Sequence, residues 1–309
     1  MKILVTGGCG NMGPHVVKTF AEEGHEVRVL DKDAEGLKKF ADLPVATFQG
    51  AITDKALVAK AMKGVDALIH LAWSFSADIN DLLDIDVKGY RILLDAAVEN
   101  GTRHVINATT AVAYGKPLTS PVDETHPHIV EKARKPPYAL AKLITEELTK
   151  IYAEQYNLAA NSVMIWYAYG DEIGGKHIRG MAKEAIQKGA IEVPADSGGS
   201  FLQLDDFVTG LKGILAAQPK GELFNLATVY LTWKELAELI VAKANPEAQV
   251  VGIPKEEWKG SSFLADDWNF STRKAEKMLH YRTRLSREKA LEHLSRALDA
   301  CVAEVKASL

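Results

Sequence analysis

Residues 2–31 read KILVTGGCGNMGPHVVKTFAEEGHEVRVLD. KILVT is a short β-rich run, a glycine-rich turn follows, HVVKTFAEEG has helical character, and HEVRVLD is a second strand ending in Asp31. Gly7, Gly10 and Gly13 therefore stand at G-x-x-G-x-x-G spacing between a strand and a helix. Glycine permits the tight turn and lets the backbone approach a pyrophosphate, whose charge is met by amides at the helix N-terminus. Asp31 follows Gly10 by about the twenty residues expected of an acid that binds the adenosine ribose. A carboxylate there accepts hydrogen bonds from both ribose hydroxyls and repels a 2′-phosphate. The reading is a dinucleotide site that favours NAD, with neighbouring Lys32 leaving NADP open.

The alternation continues downstream. VATFQG, ALIHLAW, RHVINATT and LAANSVMIWY read as buried strands, separated by helical stretches such as DKALVAKAMKG and IDVKGYRILLDAAVENG. Strand and helix in turn imply an α/β fold, a doubly wound parallel sheet covered on both faces. The stretch from about Tyr169 to Gly199 is richer in glycine and reads as less regular. FLQLDDFVTGLKGILAA and the strand-like ELFNLAT then return to the sheet, before a charged, helical C-terminal portion. The expected organisation is a dinucleotide-binding Rossmann domain from residues 1–160 and 201–228, with a smaller substrate-binding domain from 161–200 and 229–309.

The bounds suit a soluble enzyme. The chain has 309 residues, 47% hydrophobic and 25% charged, with a formal net charge of -4. That supplies an ample core, and the mild acidic balance argues against nucleic acid as the main partner. No apolar stretch is long enough to span a bilayer, and the short apolar run of MKILVTGG leads into a glycine turn rather than a cleavage site. Cys9 and Cys301 lie at opposite ends and make neither a disulfide framework nor a zinc pattern. A cytoplasmic protein without a membrane partner is the expectation.

A second signal stands in PPYALAKLITEELTKIY, where Tyr138 and Lys142 share one helix face, a turn apart. An ammonium beside a phenol lowers its pKa, so the pair could supply an acid/base usable near neutral pH. Together with TGGCGNMG, HLAW after the fourth strand, TTAVAYG after the fifth, YAYG after the sixth, FLQLDD and FSTRKAEKMLHY, the chain resembles the extended short-chain dehydrogenases/reductases. Within these it resembles the NAD-dependent epimerase/dehydratase branch, over nearly the whole length.

That resemblance implies NAD(P), a small substrate domain closing over it, and a homodimer formed through helices near residues 85–99 and 138–155. It implies catalytic roles for Thr110, Tyr138 and Lys142, the last also holding the nicotinamide ribose. It implies that Gly7, Gly10, Asn11, Met12, Gly13, Asp31, Ile52, Leu71, Ala72 and Ile165 line the cofactor. Trp73, Trp166 and Tyr167, with Thr110, would form an aromatic-walled substrate site.

Departures from the family pattern bear on the reaction. Ala51 replaces an acid that contacts adenine in many relatives, leaving Ile52 to pack the ring. Asp86 stands where an asparagine is common. Ala111 and Val112 replace the Asp-Glu pair of the sugar 4,6-dehydratases, which argues against dehydration. Tyr167 replaces a substrate-binding asparagine, and Gly199 replaces an arginine that commonly grips the diphosphate of a nucleotide sugar. Losing a bidentate guanidinium is not a conservative change; Arg179, Lys176 or His177 are candidate replacements. His70 reads as a satisfied core histidine, Asp205-Asp206 as structural carboxylates at a helix start, and no metal is implied.

The expected activity is reversible, NAD-dependent hydride transfer at a secondary alcohol or ketone of a sugar-like substrate, with Tyr138 as acid/base. The family favours an epimerase. The weakened nucleotide clasp favours a dehydrogenase acting on a non-nucleotide sugar, a sugar acid or an aromatic alcohol. A non-catalytic dinucleotide sensor is the alternative from another class.

Overall fold

The computed structural model describes residues 1–309. Its strands are β1 (Lys2–Thr6), β2 (Glu26–Asp31), β3 (Val45–Gln49), β4 (Ala67–His70), β5 (His104–Thr110), β6 (Ala159–Ile165), β7 (Tyr167–Tyr169), β8 (Ala190–Pro194), β9 (Gly198–Gln203), β10 (Leu223–Asn225), β11 (Val229–Thr232) and β12 (Gln249–Ile253). Seven of them form one parallel sheet in the order β10-β6-β5-β4-β1-β2-β3. The order reverses between β1 and β4, the switch point at which open α/β sheets bind ligands.

Side-chain alternation in β1 explains the two layers. Ile3 and Val5 point to one face, where they pack with Val16, Val17 and Phe20 and with Phe207, Leu211 and Ile214. These come from the helices Gly13–Glu22 and Leu204–Ala217. Leu4, between them, points to the other face, among Val58, Met62, Tyr90, Leu93 and Tyr152. The covering helices there are Lys55–Met62, Lys88–Glu99 and Pro136–Gln155. Burial on both faces is why the strands read as nearly continuous apolar runs. The architecture is a Rossmann-type, doubly wound α/β fold.

A separate apolar cluster gathers Phe201, Trp233, Leu236, Ile240, Leu294, Leu298 and Val302. It lies among a three-stranded sheet (β11-β9-β7), a two-stranded sheet (β12-β8) and the helices Lys176–Lys188, Trp233–Ala244 and Arg287–Ser308. The stretch expected to be irregular thus contains a thirteen-residue helix followed by β8. Its helical signal is the buried set Ile178, Met181, Ala182 and Ala185 at i, i+3, i+4 and i+7. The flanking glycines and charges outweigh that stripe in the sequence. Asp206, fully buried, accepts from the Thr228 hydroxyl at 2.6 Å and the Arg284 amide at 2.7 Å, tying the helix it begins to the C-terminal segment. No helix is long and apolar enough to cross a membrane.

Candidate active site

Parallel register brings the C-terminal ends of the central strands to one edge. Thr6 is level with Leu30 and His70, His70 with Asn107, and Thr110 with Ile165. Asp31 ends β2, and Gly7, Leu71 and Ala111 lie just beyond their strands, so the sheet itself assembles a cleft from distant segments.

On the β1 side, Gly7 has φ +72°, and a Cβ added there would lie 2.5 Å from the backbone of Ala72. Only glycine keeps this approach of the first loop to the β4 loop. The loop closes through Gly10 N donating to Gly7 O at 3.1 Å and Gly13 N to Gly10 O at 3.3 Å. A Cβ at Gly13 would meet the Gly8 backbone at 2.3 Å. Pro14 sits in the first turn of the helix, where its missing N–H costs nothing. Asn11 is exposed at the loop tip, while Met12 is partly buried against the core. The half-buried Asp31 carboxylate accepts from Cys9 N at 2.9 Å and Asp33 N at 3.0 Å. Those bonds use one lone pair on each oxygen and leave each a further acceptor position. Burial and the carboxylates of Asp31 and Asp33 push the Cys9 thiol up to about 12, so it stays a thiol. A bare-backbone cradle beside a fixed acid fits a dinucleotide's pyrophosphate and adenosine ribose.

Leu71 and Ala72 are partly buried at the end of β4, with Leu71 N donating to Thr6 O at 3.0 Å. Ile165 closes β6 at 7% exposure. Ile52, expected against adenine, is buried instead in the core, where a Cβ on Gly89 would come within 2.5 Å of it. The helix Lys88–Glu99 approaches it so closely that little of its side chain is left for a ligand.

Tyr138 and Lys142 lie against the segment just beyond β4 and against β5, the strand that ends in Thr110. Pro136 and Pro137 open their helix, and its interior is rich in alanine, leucine and glutamate, which favour helix. Tyr138 is half-buried, and burial raises its pKa well above the usual phenol range; the Arg134 charge opposes that rise and Asp86 adds to it. Lys142 is buried and its pKa falls to about 7 through desolvation, against the pull of Asp86 and Glu146. Its ammonium does not turn to the phenol. It donates to Ala108 O at 2.9 Å and lies 3.6 Å from the centre of the Trp73 ring. The cation facing the phenol is Arg134, a correction to the expected Tyr–Lys electrostatics. Thr110 is the N-cap residue of the turn Ala111–Tyr114, yet its hydroxyl caps nothing and is free for another partner.

Aromatic rings wall this point. Trp73 meets Tyr138 edge-on at 5.6 Å, and Phe75 stacks on it at 6.4 Å. Phe75 is 74% exposed and has φ +56°, an uncommon conformation for an aromatic residue. The indole Nε1 of Trp73 is buried without a partner. Asp86 accepts from Ser74 N at 2.8 Å and from the Ser74 hydroxyl at 2.5 Å, and burial raises its pKa. It belongs to a π-helical segment, Leu82–Val87; such segments are frequent at functional sites.

Behind Thr110, the buried Glu146 accepts hydrogen bonds from the Thr109 hydroxyl and from His128 Nε2, the latter at 3.0 Å. His70 is buried, bonded to the Thr6 hydroxyl at 2.7 Å and stacked on Tyr90; burial lowers its pKa to about 3. It is a neutral core residue, although its Nε2 is unpartnered.

Trp166 and Tyr167 sit farther out. Trp166 packs among Tyr167, Phe201, Trp233 and Phe263. A Cβ on Gly199 would come within 2.4 Å of its ring, so the indole occupies the space a side chain at 199 would enter. The Tyr167 hydroxyl donates its one proton to Gly174 O and its ring lies against Phe201, leaving the phenol oxygen only as an acceptor. Arg179 makes an exposed ion pair with Glu304 at 2.8 Å. His177 stacks on Phe263 at 4.3 Å.

The sequence reading missed Arg134, Phe75 and Phe263. Arg134 carries one local signal, its place four residues before Tyr138; Phe263 carries none.

A family model for NAD-dependent epimerases/dehydratases matches residues 3–227. A putative UDP-glucose 4-epimerase of Methanocaldococcus jannaschii is 30% identical over 73% of this chain and 76% of its own. The UDP-glucose 4-epimerase of Lacticaseibacillus casei is 31% identical over 48% of this chain and 46% of its own. The chain spans 62%, 46% and 41% of the length of three of the curated relatives it matches. A dTDP-glucose 4,6-dehydratase of Streptomyces venezuelae, solved with NAD bound, superposes with a TM-score of 0.76 at 24% identity, covering 96% of this chain and 97% of that one. At that identity the likeness speaks for the fold. With the glycine cradle, the ribose acid and the matched stretch agreeing, the chain belongs to the NAD-dependent epimerase/dehydratase family.

Proposed function

We propose that this protein catalyses NAD-dependent hydride transfer at a secondary alcohol or ketone of a carbohydrate-like substrate, with epimerisation as the outcome. What supports the reading is that Lys142 donates to Ala108 O, two residues before Thr110, while Tyr138 meets Trp73 edge-on, alongside the Gly7–Ala72 cradle. Bound NAD supplies the hydride acceptor and donor.

The chain's own residues do the remaining work. Tyr138, as phenolate, takes the hydroxyl proton in the oxidative direction and returns it in the reductive one. Its raised pKa means that the phenolate requires cationic help, which Arg134 supplies from the cleft. The free Thr110 hydroxyl orients the reacting oxygen. Lys142, tethered to Ala108 O, is positioned to engage a cofactor ribose, and a pKa of about 7 lets it hold or release a proton near neutrality. Trp73 and Phe75 exclude water and offer apolar faces to a sugar ring. Gly7, Gly10, Gly13 and Asp31 would hold the pyrophosphate and adenosine ribose. The homodimer implied by the family finds support in Ile85, Leu140 and Ile151, which are exposed on and beside the helices expected to pair.

A dehydrogenase is the second reading, favoured by Trp166 over Gly199. The indole fills the place of a diphosphate-gripping side chain, which suits a substrate without a nucleotide. The test is incubation with NAD and candidate sugars, following the substrate stereocentre by NMR and reduced nicotinamide by absorbance. A changed stereocentre without net reduction supports the epimerase, and stoichiometric reduction the dehydrogenase. Full turnover by Thr110→Ala or Lys142→Ala would contradict the assigned chemistry.

A further inference from the structure

Six arginines of the chain form ion pairs with carboxylates, and Arg134, with Arg273, Arg282 and Arg296, forms none. Arg91, Arg179, Arg284 and Arg287 each face a carboxylate within ion-pair distance. Arg134 is influenced by Tyr138 and Asp266 but is in hydrogen-bond contact with neither. Its guanidinium carbon lies 4.7 Å from the centre of the Phe263 ring.

Backbone chemistry puts it there. A residue preceding proline is pushed out of the helical region, and Lys135 has φ −139° and ψ 78°. Arg134 therefore projects ahead of the helix that carries Tyr138, onto the short helix Ser262–Ala265 that carries Phe263. A guanidinium resting on an aromatic ring keeps N–H donors free for a planar or tetrahedral oxyanion.

Burial raises the pKa of the half-buried Asp266, and Lys116, Lys255 and Arg134 oppose that rise. His177, stacked on the same Phe263 ring, has its pKa lowered first by burial and then by Arg134 and Lys176, a second sign of positive potential. The position of the missing diphosphate clasp, in contrast, is filled by Trp166. The unpaired cation thus lies at the Tyr138 end of the cleft.

We propose that Arg134, resting on the Phe263 ring, is a subsite for an oxyanion carried on the reacting unit of the substrate, a carboxylate or a phosphate. The inference rests on reading the Tyr138 cleft as the place of reaction. It makes Arg134 a substrate-binding and specificity-determining residue, and its proximity to the phenol couples anion recognition to proton transfer.

The test is calorimetric titration of the full chain saturated with NAD, using galacturonate, glucose 6-phosphate and glucose as probes. At least one anionic probe should bind about ten-fold or more tightly than glucose, as expected for a charge-assisted contact. Arg134→Gln should remove that advantage, Arg134→Lys should keep part of it, and neither should change NAD affinity. The relative affinity of the two anions identifies the source as carboxylate or phosphate. Equal binding of all three probes, no binding by either anion, or full anion affinity in Arg134→Gln would overturn the subsite. Anion binding through Arg134 without hydride transfer would leave the subsite standing and remove the proposed reaction. Hydride transfer from a probe, with full anion affinity kept in Arg134→Gln, would do the reverse.

Discussion

The Lys142 ammonium lies 3.6 Å from the centre of the Trp73 indole ring while donating to Ala108 O at 2.9 Å. Two groups thus hold a buried cation whose desolvation lowers its pKa to about 7. The lysine is retained against its effect on stability, as expected of a functional group.

Lys142→Met should relieve that burden, and the pH dependence carries the sign. A lysine with a folded pKa of about 7 and an ordinary value of 10.5 binds fewer protons folded than unfolded between those limits. Its stability penalty is therefore fully present below pH 7 and fades as the pH rises towards 10.5. The stability advantage of the variant should shrink by a few kcal/mol across that window, at about 1.4 kcal/mol for each pH unit crossed. Urea denaturation from neutral to alkaline pH reads this directly, and a constant difference would refute the buried charge.

Asp86 raises the pKa of both Lys142 and Tyr138. Asp86→Asn keeps an oxygen for the Ser74 amide but removes the charge, so both pKa values should fall. The acid limb of oxidative kcat/KM should move to lower pH by about half a unit or more. A pH–rate profile above the titration range of Asp86 itself checks this, and an unmoved limb would assign that limb to another group.

Asp31→Asn should weaken NAD binding about ten-fold and narrow the preference over NADP, since it removes both a charged acceptor and the repulsion of a 2′-phosphate. Lys32 next to it reinforces the second effect. Titration with both cofactors checks the prediction; unchanged discrimination would show that selectivity lies elsewhere.

Gly199→Ala should destabilise the fold by about 1–3 kcal/mol, because the new methyl meets the Trp166 ring. In a Trp166→Ala background most of that cost should vanish. A double-mutant cycle by denaturation measures the coupling. Additive effects would mean that the indole does not fill the space above residue 199.

The legible parts of this chain are those encoded locally. Gly7, Gly10, Gly13 and Asp31 announce themselves by spacing, because one turn and two adjacent strands fix their geometry. Tyr138 and Lys142 are legible as residues on one helical face, but the direction of the ammonium is not, since Ala108 of β5 and Trp73 of the loop after β4 reach it from distant parts of the chain. Ile52 reads as a ligand contact until Gly89 brings a helix onto it. Arg134 and Phe263 are brought together only by tertiary folding, and no periodicity links them. The helix Lys176–Lys188 is obscured by its glycines and charges, although its buried face has helical spacing.

The measurement closest to the central claim compares the wild-type chain with Tyr138→Phe, each with NAD and a panel of nucleotide sugars, free sugars, sugar acids and aromatic alcohols. Near-ultraviolet absorbance and NMR are read on the same samples. The account predicts that at least one compound is oxidised or changes stereochemistry with the wild type, and that Tyr138→Phe loses about 10²–10⁴ of the rate while still binding NAD. NAD binding with no reaction across the panel would point to a dinucleotide sensor, and full turnover by Tyr138→Phe would remove the phenol from the mechanism.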